Sequence, residues 1–125
     1  MALQLDPGSS VPLFQQIAAS IEDAILAGAY PEESRIPSTT EMSTTLLLNP
    51  ATVLKGVTLL ADAGILYKKR GIGMYVSEGA TETIKAQRKS LFFESYVKAL
   101  VAESIKLGLS CEDTLEMIRK GFTHA

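Results

Sequence analysis

Two helix starts placed close together, at Ser38 and at Asn49, constrain this chain more than any other feature. In "STTEMSTTLLLNPATVLKG" (Ser38 to Gly56), Ser38 stands three residues before Glu41, the spacing of a capping box. Asn49-Pro50 then joins an N-cap residue to a proline at the first helical position. The pattern predicts a short helix from Ser38 to Leu46, with Met42 and Thr45/Leu46 on its inner side. A second helix runs from Pro50 to Ala63 and stops at Gly64. Two helices joined by so tight a turn form a helix-turn-helix. "LLLNP" is that turn, and its leucines are expected to face the core.

The flanking sequence supplies the rest of a small domain. Ser10-Val11-Pro12 opens a helix whose apolar residues Leu13, Phe14, Ile17, Ile21, Ala24 and Ile25 fall at three- and four-residue steps, with Gly28 to end it. "YPEESRIP" reads as a polar loop. Ile65-Leu66-Tyr67 and Met74-Tyr75-Val76 have strand composition, and the residues between them hold two glycines, so they predict a β-hairpin with a long tip. After the linker "SEGA", Ile84, Leu91, Phe92, Tyr96, Ala99 and Leu100 mark one helix to about Leu107, ~37 Å long at ~1.5 Å per residue. Ser110 is placed to cap a last helix with Leu115, Ile118 and Phe122 as its stripe. The fold class expected is mainly α with a small β-hairpin: a winged helix-turn-helix over residues 1–79 and a helical tail over residues 80–125.

Composition narrows the function. A chain of 125 residues can bury one core and a small appendage. The single cysteine, Cys111, permits no intrachain disulfide, and "MALQLDPGSS" lacks the basic and apolar regions of a signal peptide. The apolar runs are far too short for a membrane span. These features predict a soluble, cytoplasmic protein with no membrane partner. The sole histidine, His124, is penultimate, and no Ser/His/Asp set, metal-spaced cluster or phosphate-binding loop is present. The expectation is a non-enzyme with no cofactor and no metal.

On a helical wheel of residues 50–63, Val53, Val57, Leu60 and Ala61 gather on one side. Ala51, Thr52 and Lys55 gather nearly opposite, within the first two turns. A merely soluble face would more often carry Glu and Lys throughout. Small and hydrogen-bonding residues at a helix start suit close approach to a DNA major groove. Lys68, Lys69 and Arg70 follow in the hairpin, with Gly71 and Gly73 permitting close backbone approach. Against this stands the charge. The net charge is −2, and residues 1–79 hold five Lys/Arg against eight Asp/Glu, whereas a nucleic-acid binder is usually basic. Each feature alone also suits a plain cap, a solvated loop or a winged-helix protein-interaction module. Their order favours duplex DNA.

The stretches "PLFQQIAASIEDAILAGAY" and "IPSTTEMSTTLLLNPATVLKGVTLLADAGILYKKRGIGMYV" together resemble the winged helix of the GntR family of bacterial transcription regulators. The short two-helix tail and the Asn-Pro turn resemble its YtrA-type subfamily. The resemblance implies DNA contacts from Ser38, Thr39 and Thr40 at the start of the second helix. It implies others from Asn49, Ala51, Thr52 and Lys55, and from Arg70 and Gly71 in the wing. Thr40 stands where the family usually has arginine, so one charge-assisted contact is missing. The tail is too small for an independent core, and Leu91, Phe92, Tyr96 and Leu100 are expected to form the seam of a C2 homodimer on a palindromic operator. The alternative is that this strip folds back on its own winged helix. The large ligand domains of other subfamilies have no counterpart in the tail. That leaves room only for a small-molecule effector in a pocket between tail helices or between domains.

Overall fold

Gln16 closes the entry to the first helix. In the computed structural model, which describes residues 5–125, its side-chain amide donates to the carbonyls of Asp6 (2.9 Å) and Val11 (2.8 Å), and its Oε1 accepts from the Asp6 N–H. Helix α1 (Leu13–Leu26) follows, with Pro12 as its N-cap. Helix α2 (Thr39–Leu46) and helix α3 (Pro50–Asp62) follow in the first compact unit, which extends to Ala86. Strands β1 (Leu66–Lys69) and β2 (Gly73–Val76) pair antiparallel, with Leu66 opposite Val76 and Lys69 opposite Gly73. Among the described residues, no helix is long and apolar enough to cross a membrane.

One core serves this unit. Ile17, Ile21 and Ile25 of α1 meet Val53, Val57 and Leu60 of α3, with Met42, Ile65, Leu66 and Val76 around them. Helices α1 and α3 pack tightly at Gly56, which is buried in mid-helix. A Cβ there would lie 2.8 Å from the Phe14 carbonyl oxygen and 3.1 Å from Ile17 Cγ2. At Gly64 (φ +79) the chain leaves α3 through a Schellman closure. The Ile65 N–H reaches the Leu60 carbonyl and the Gly64 N–H reaches that of Ala61. This turn delivers Ile65 straight into the core.

Helix α2 and the turn after it differ in part from the expectation. Met42 and Leu46, four residues apart, define the inward line, and Ser43 flanks it on the buried side. Thr45 lies off that line and is exposed. The Ser43 hydroxyl donates to the Thr40 carbonyl at 3.0 Å, which satisfies it inside. Leu46 and Leu48 pack against the core, but Leu47 does not: it is 91% exposed. Its backbone ends α2 in the left-handed region (φ 55, ψ 46), and that reversal turns the side chain outward between its two inward neighbours. A non-glycine residue held there costs about 1–2 kcal/mol, partly offset in glycine by ~0.5–1 kcal/mol of extra backbone entropy lost on folding. Leu47→Gly should therefore stabilise the fold by up to ~1 kcal/mol, since almost no burial is lost. A rise of a few degrees in Tm would show it, and a fall would mean that the leucine has a packing role.

The segment read as a polar loop has a structured second half. Glu33 N–H donates to the Val76 carbonyl, Val76 N–H to that of Ser34, and Ile36 N–H to that of Met74. An isolated bridge joins Arg35 to Tyr75. These bonds lay a short third edge beside β2 and bury Ile36. Proline at both ends and the charges between them masked this pairing in the sequence.

Helix α4 (Ala80–Phe92) begins inside the first unit, past the boundary expected after residue 79. Ala80 and Ile84 are buried in the winged-helix core. The Glu32 carboxylate also accepts the Gly79 and Thr81 N–H groups (2.8 and 3.3 Å), capping the helix start. Those backbone donors hold the Glu32 carboxyl below its ordinary pKa. "SEGA" is thus a capped turn rather than a linker.

The second unit, Gln87–Ala125, contains the end of α4, helix α5 (Lys98–Lys106) and helix α6 (Cys111–Thr123). A single π turn, Phe93–Val97, interrupts the one helix expected here. In so wide a turn four residues come closer to one full revolution, and Phe92 meets Tyr96 with ring centroids 5.5 Å apart. Ser110 caps α6 through a capping box with Asp113. No apolar residue of this unit is buried.

Candidate nucleic-acid interface

At the start of α2, one carboxylate organises several donors. Ser38 Oγ accepts the Glu41 N–H (3.0 Å), and Glu41 Oε1 accepts the Ser38 N–H (3.2 Å) and Arg35 Nη2 (3.0 Å). The Ser38 backbone donor first, and then Arg35, hold the Glu41 carboxyl below its ordinary pKa. Ser38 and Thr39 are half-buried and Thr40 is exposed. Of the three residues expected to touch DNA here, only Thr40 is exposed.

On α3 the two faces fall as the wheel indicated. Val53, Val57 and Leu60 are buried, Thr52 is half-buried, and Ala51 and Lys55 are exposed. Asn49 is the N-cap, and its Oδ1 accepts the Ala51 N–H at 2.9 Å, leaving the side-chain NH2 to donate outward. Lys55 Nζ rests 4.1 Å from the centroid of the Phe14 ring. A cation–π contact of this kind, worth ~0.5–1 kcal/mol when exposed, holds the ammonium near the helix without neutralising it.

The wing is tighter than expected. Lys68 and Lys69 belong to β1, so they alternate between the two faces of the hairpin and are not part of its tip. The tip is Arg70-Gly71-Ile72, closed by the Ile72 N–H donating to the Lys69 carbonyl at 3.0 Å. Gly71, third in this four-residue turn with φ +77, fills the position where a type II turn requires glycine. Lys69 Nζ sits 4.2 Å from the Tyr75 ring centroid. Tyr67 donates its hydroxyl to Glu33 Oε2 at 2.7 Å, which raises the Tyr67 pKa. Among the described residues, Lys68 and Arg70 have no ion-pair partner. Two residues outside the expected set join the site: Ile72, 59% exposed at the tip, and Arg35, whose partner lies across a turn that no helical or strand spacing connects.

The leucines and aromatics expected at a dimer seam are all open in the second unit. Leu91, Phe92, Tyr96 and Leu100 are 42–66% exposed. Phe93, Val101 and Ile105, which were not expected there, join them as large exposed apolar side chains.

No family model matches the sequence. Individual relatives do. The chain is 31% identical over 118 residues to the HTH-type transcriptional repressor YtrA of Bacillus subtilis, covering 94% of this chain and 90% of that one. A crystal structure of a GntR-family transcriptional regulator from Bacteroides thetaiotaomicron superposes with a TM-score of 0.73 at 34% identity, covering 89% of this chain and 96% of its own. Another neighbour is S. agalactiae BusR in complex with its busAB promoter DNA (TM-score 0.56, 25% identity, 88% of this chain and 54% of that one).

Proposed function

Because the chain belongs to the GntR family of DNA-binding transcription regulators, with the YtrA-type architecture, we propose that it acts in the cytoplasm as a homodimeric repressor on a palindromic operator. The observation that carries the dimer is the second unit's lack of any buried apolar side chain. A unit so constituted needs a second surface, and a copy of itself supplies one with the two-fold symmetry that an inverted repeat mirrors. Repression follows the activity named for the B. subtilis relative.

In this reading α3 enters the major groove. Asn49, Ala51 and Thr52 lie at base edges, and Ser38, Thr39, Thr40 and Lys55 at the flanking phosphates. Lys68, Lys69, Arg70 and Gly71 follow the backbone beside the wing. Too few cations are present to bind by charge alone, so specific contacts have to contribute much of the affinity. A cleft of about 270 Å3 between α5 and α6, lined mainly by Leu100, Leu107, Met117 and Ile118, suits a small apolar effector.

Selection of bound sequences from a random DNA pool tests the reading. An inverted repeat should emerge, and failure to enrich any site would reject a sequence-specific regulator. On the selected site Thr52→Ala and Asn49→Ser should each lose ~1–3 kcal/mol of binding. Serine is chosen at position 49 because it keeps the helix cap while removing the amide donor. Equal losses on random duplex would show that these side chains do not read sequence.

A further inference from the structure

Arg35 is one of only five cations in residues 1–79, yet its charge is paired with Glu41 at the surface. Three contacts converge on it. Its Nη2 donates to Glu41 Oε1, the same oxygen that caps α2 through the Ser38 N–H. Its Nε makes a long hydrogen bond, 3.4 Å, to the Ile72 carbonyl in the wing turn. Its backbone bridges Tyr75 on β2. The guanidinium also lies against the hairpin at Gly73, where a Cβ would come 3.0 Å from Nε. The wing turn and the capped start of α2 therefore meet through this one side chain. A planar guanidinium can hold both at once, whereas an ammonium is a single point charge.

We propose that Arg35 is a positioning residue for DNA recognition, fixing the wing turn to the start of α2 so that wing and helix-turn-helix meet the duplex as one rigid reader. The inference rests on the function proposed above. It explains why a chain short of cations keeps one paired with Glu41. A wing free to swing would carry Arg70 to the backbone only part of the time, and binding would bear the cost of ordering it. With the turn held, that cost is met in the free protein.

The test is a double-mutant cycle on the selected operator. Arg35→Ala and Arg70→Ala should each weaken binding about tenfold. Combined, they should weaken it little more than either alone, because an unheld wing no longer presents Arg70. In the Arg70→Ala background, Arg35→Ala should leave the salt dependence unchanged. A further drop of about 0.9 in the log–log slope would make Arg35 a direct phosphate ligand and overturn the proposal. Additive losses, or full rescue by Arg35→Lys, would overturn it too. A readout without DNA separates this from the functional reading. Amide exchange at Ile72, measured in the free protein, should accelerate in Arg35→Ala with Tm changed by only a few degrees. Glu41→Gln, which retains a capping-box residue, should accelerate it in the same direction. Unchanged exchange in both variants would sink the coupling even if the wild type binds its operator. A wild type that binds no duplex would instead remove the function and this role together.

Discussion

Phe92→Glu is expected to leave a folded winged helix that no longer dimerises and has lost most of its operator affinity. Phe92 lies in the second unit, 56% exposed and tilted against Tyr96, and no buried core residue follows Ile84. The substitution therefore removes nothing from the core built on Ile17, Ile21, Val53, Val57 and Leu60. If the exposed strip is a dimer seam, the new carboxylate must be buried without a partner, at several kcal/mol per copy and twice per dimer. That exceeds what a modest apolar seam can absorb, so dissociation is the cheaper outcome. Each monomer would then bind a single half-site and lose the gain from linked binding, commonly 10²–10⁴-fold. Sedimentation and circular dichroism on one sample decide the matter. A variant that stays dimeric, or a wild type monomeric at micromolar concentration, would defeat the seam. Global unfolding would show that the strip belongs to an intrachain core.

The parts of the fold legible in the sequence are those set by local chemistry. The capping box at Ser38, the Asn49-Pro50 start and the glycines after α1, α3 and α5 each fix a helix end by bonds within a few residues. The inward line of α3 was equally plain, because Val53, Val57 and Leu60 repeat at helical spacing. What escaped depends on partners distant in sequence. The edge at Ser34–Ile36 forms only because β2 returns beside it. Glu32 caps α4 from across the unit, which carries the first unit past residue 79. Leu47 defied the hydrophobic pattern because a left-handed backbone outranks a side chain's preference for burial. Arg35 could not be found by spacing at all. At the site, the exposed side of α3 and the hairpin itself were readable, but the extent of the hairpin's tip was not, since a three-residue turn moves Lys68 and Lys69 into the strand.

Gly56 did carry a legible signal, and it leads to the second large effect. Glycine in mid-helix costs ~0.5–1 kcal/mol relative to alanine, so its presence signals close packing. Gly56→Ala would recover that propensity. It would also place a methyl group 2.8 Å from the Phe14 carbonyl oxygen and 3.1 Å from Ile17 Cγ2. The first neighbour is helix backbone and the second is a fully buried side chain, so neither can yield by a simple rotamer change. Helices α1 and α3 must separate instead. Overpacking of this kind typically costs 1–3 kcal/mol, which outweighs the propensity gain. Gly56→Ala should therefore lower Tm by several degrees. Gly56→Leu, with far more volume at the same contact, should fail to fold. The displacement also moves the exposed side of α3, so operator affinity in Gly56→Ala should fall even at temperatures where the variant is fully folded. Calorimetry and binding on the same preparation separate the two losses. If Tm holds or rises, helix propensity has won and the α1–α3 contact has slack. If Tm falls but affinity for the selected operator is unchanged, then the position of α3 against α1 does not set its fit to DNA.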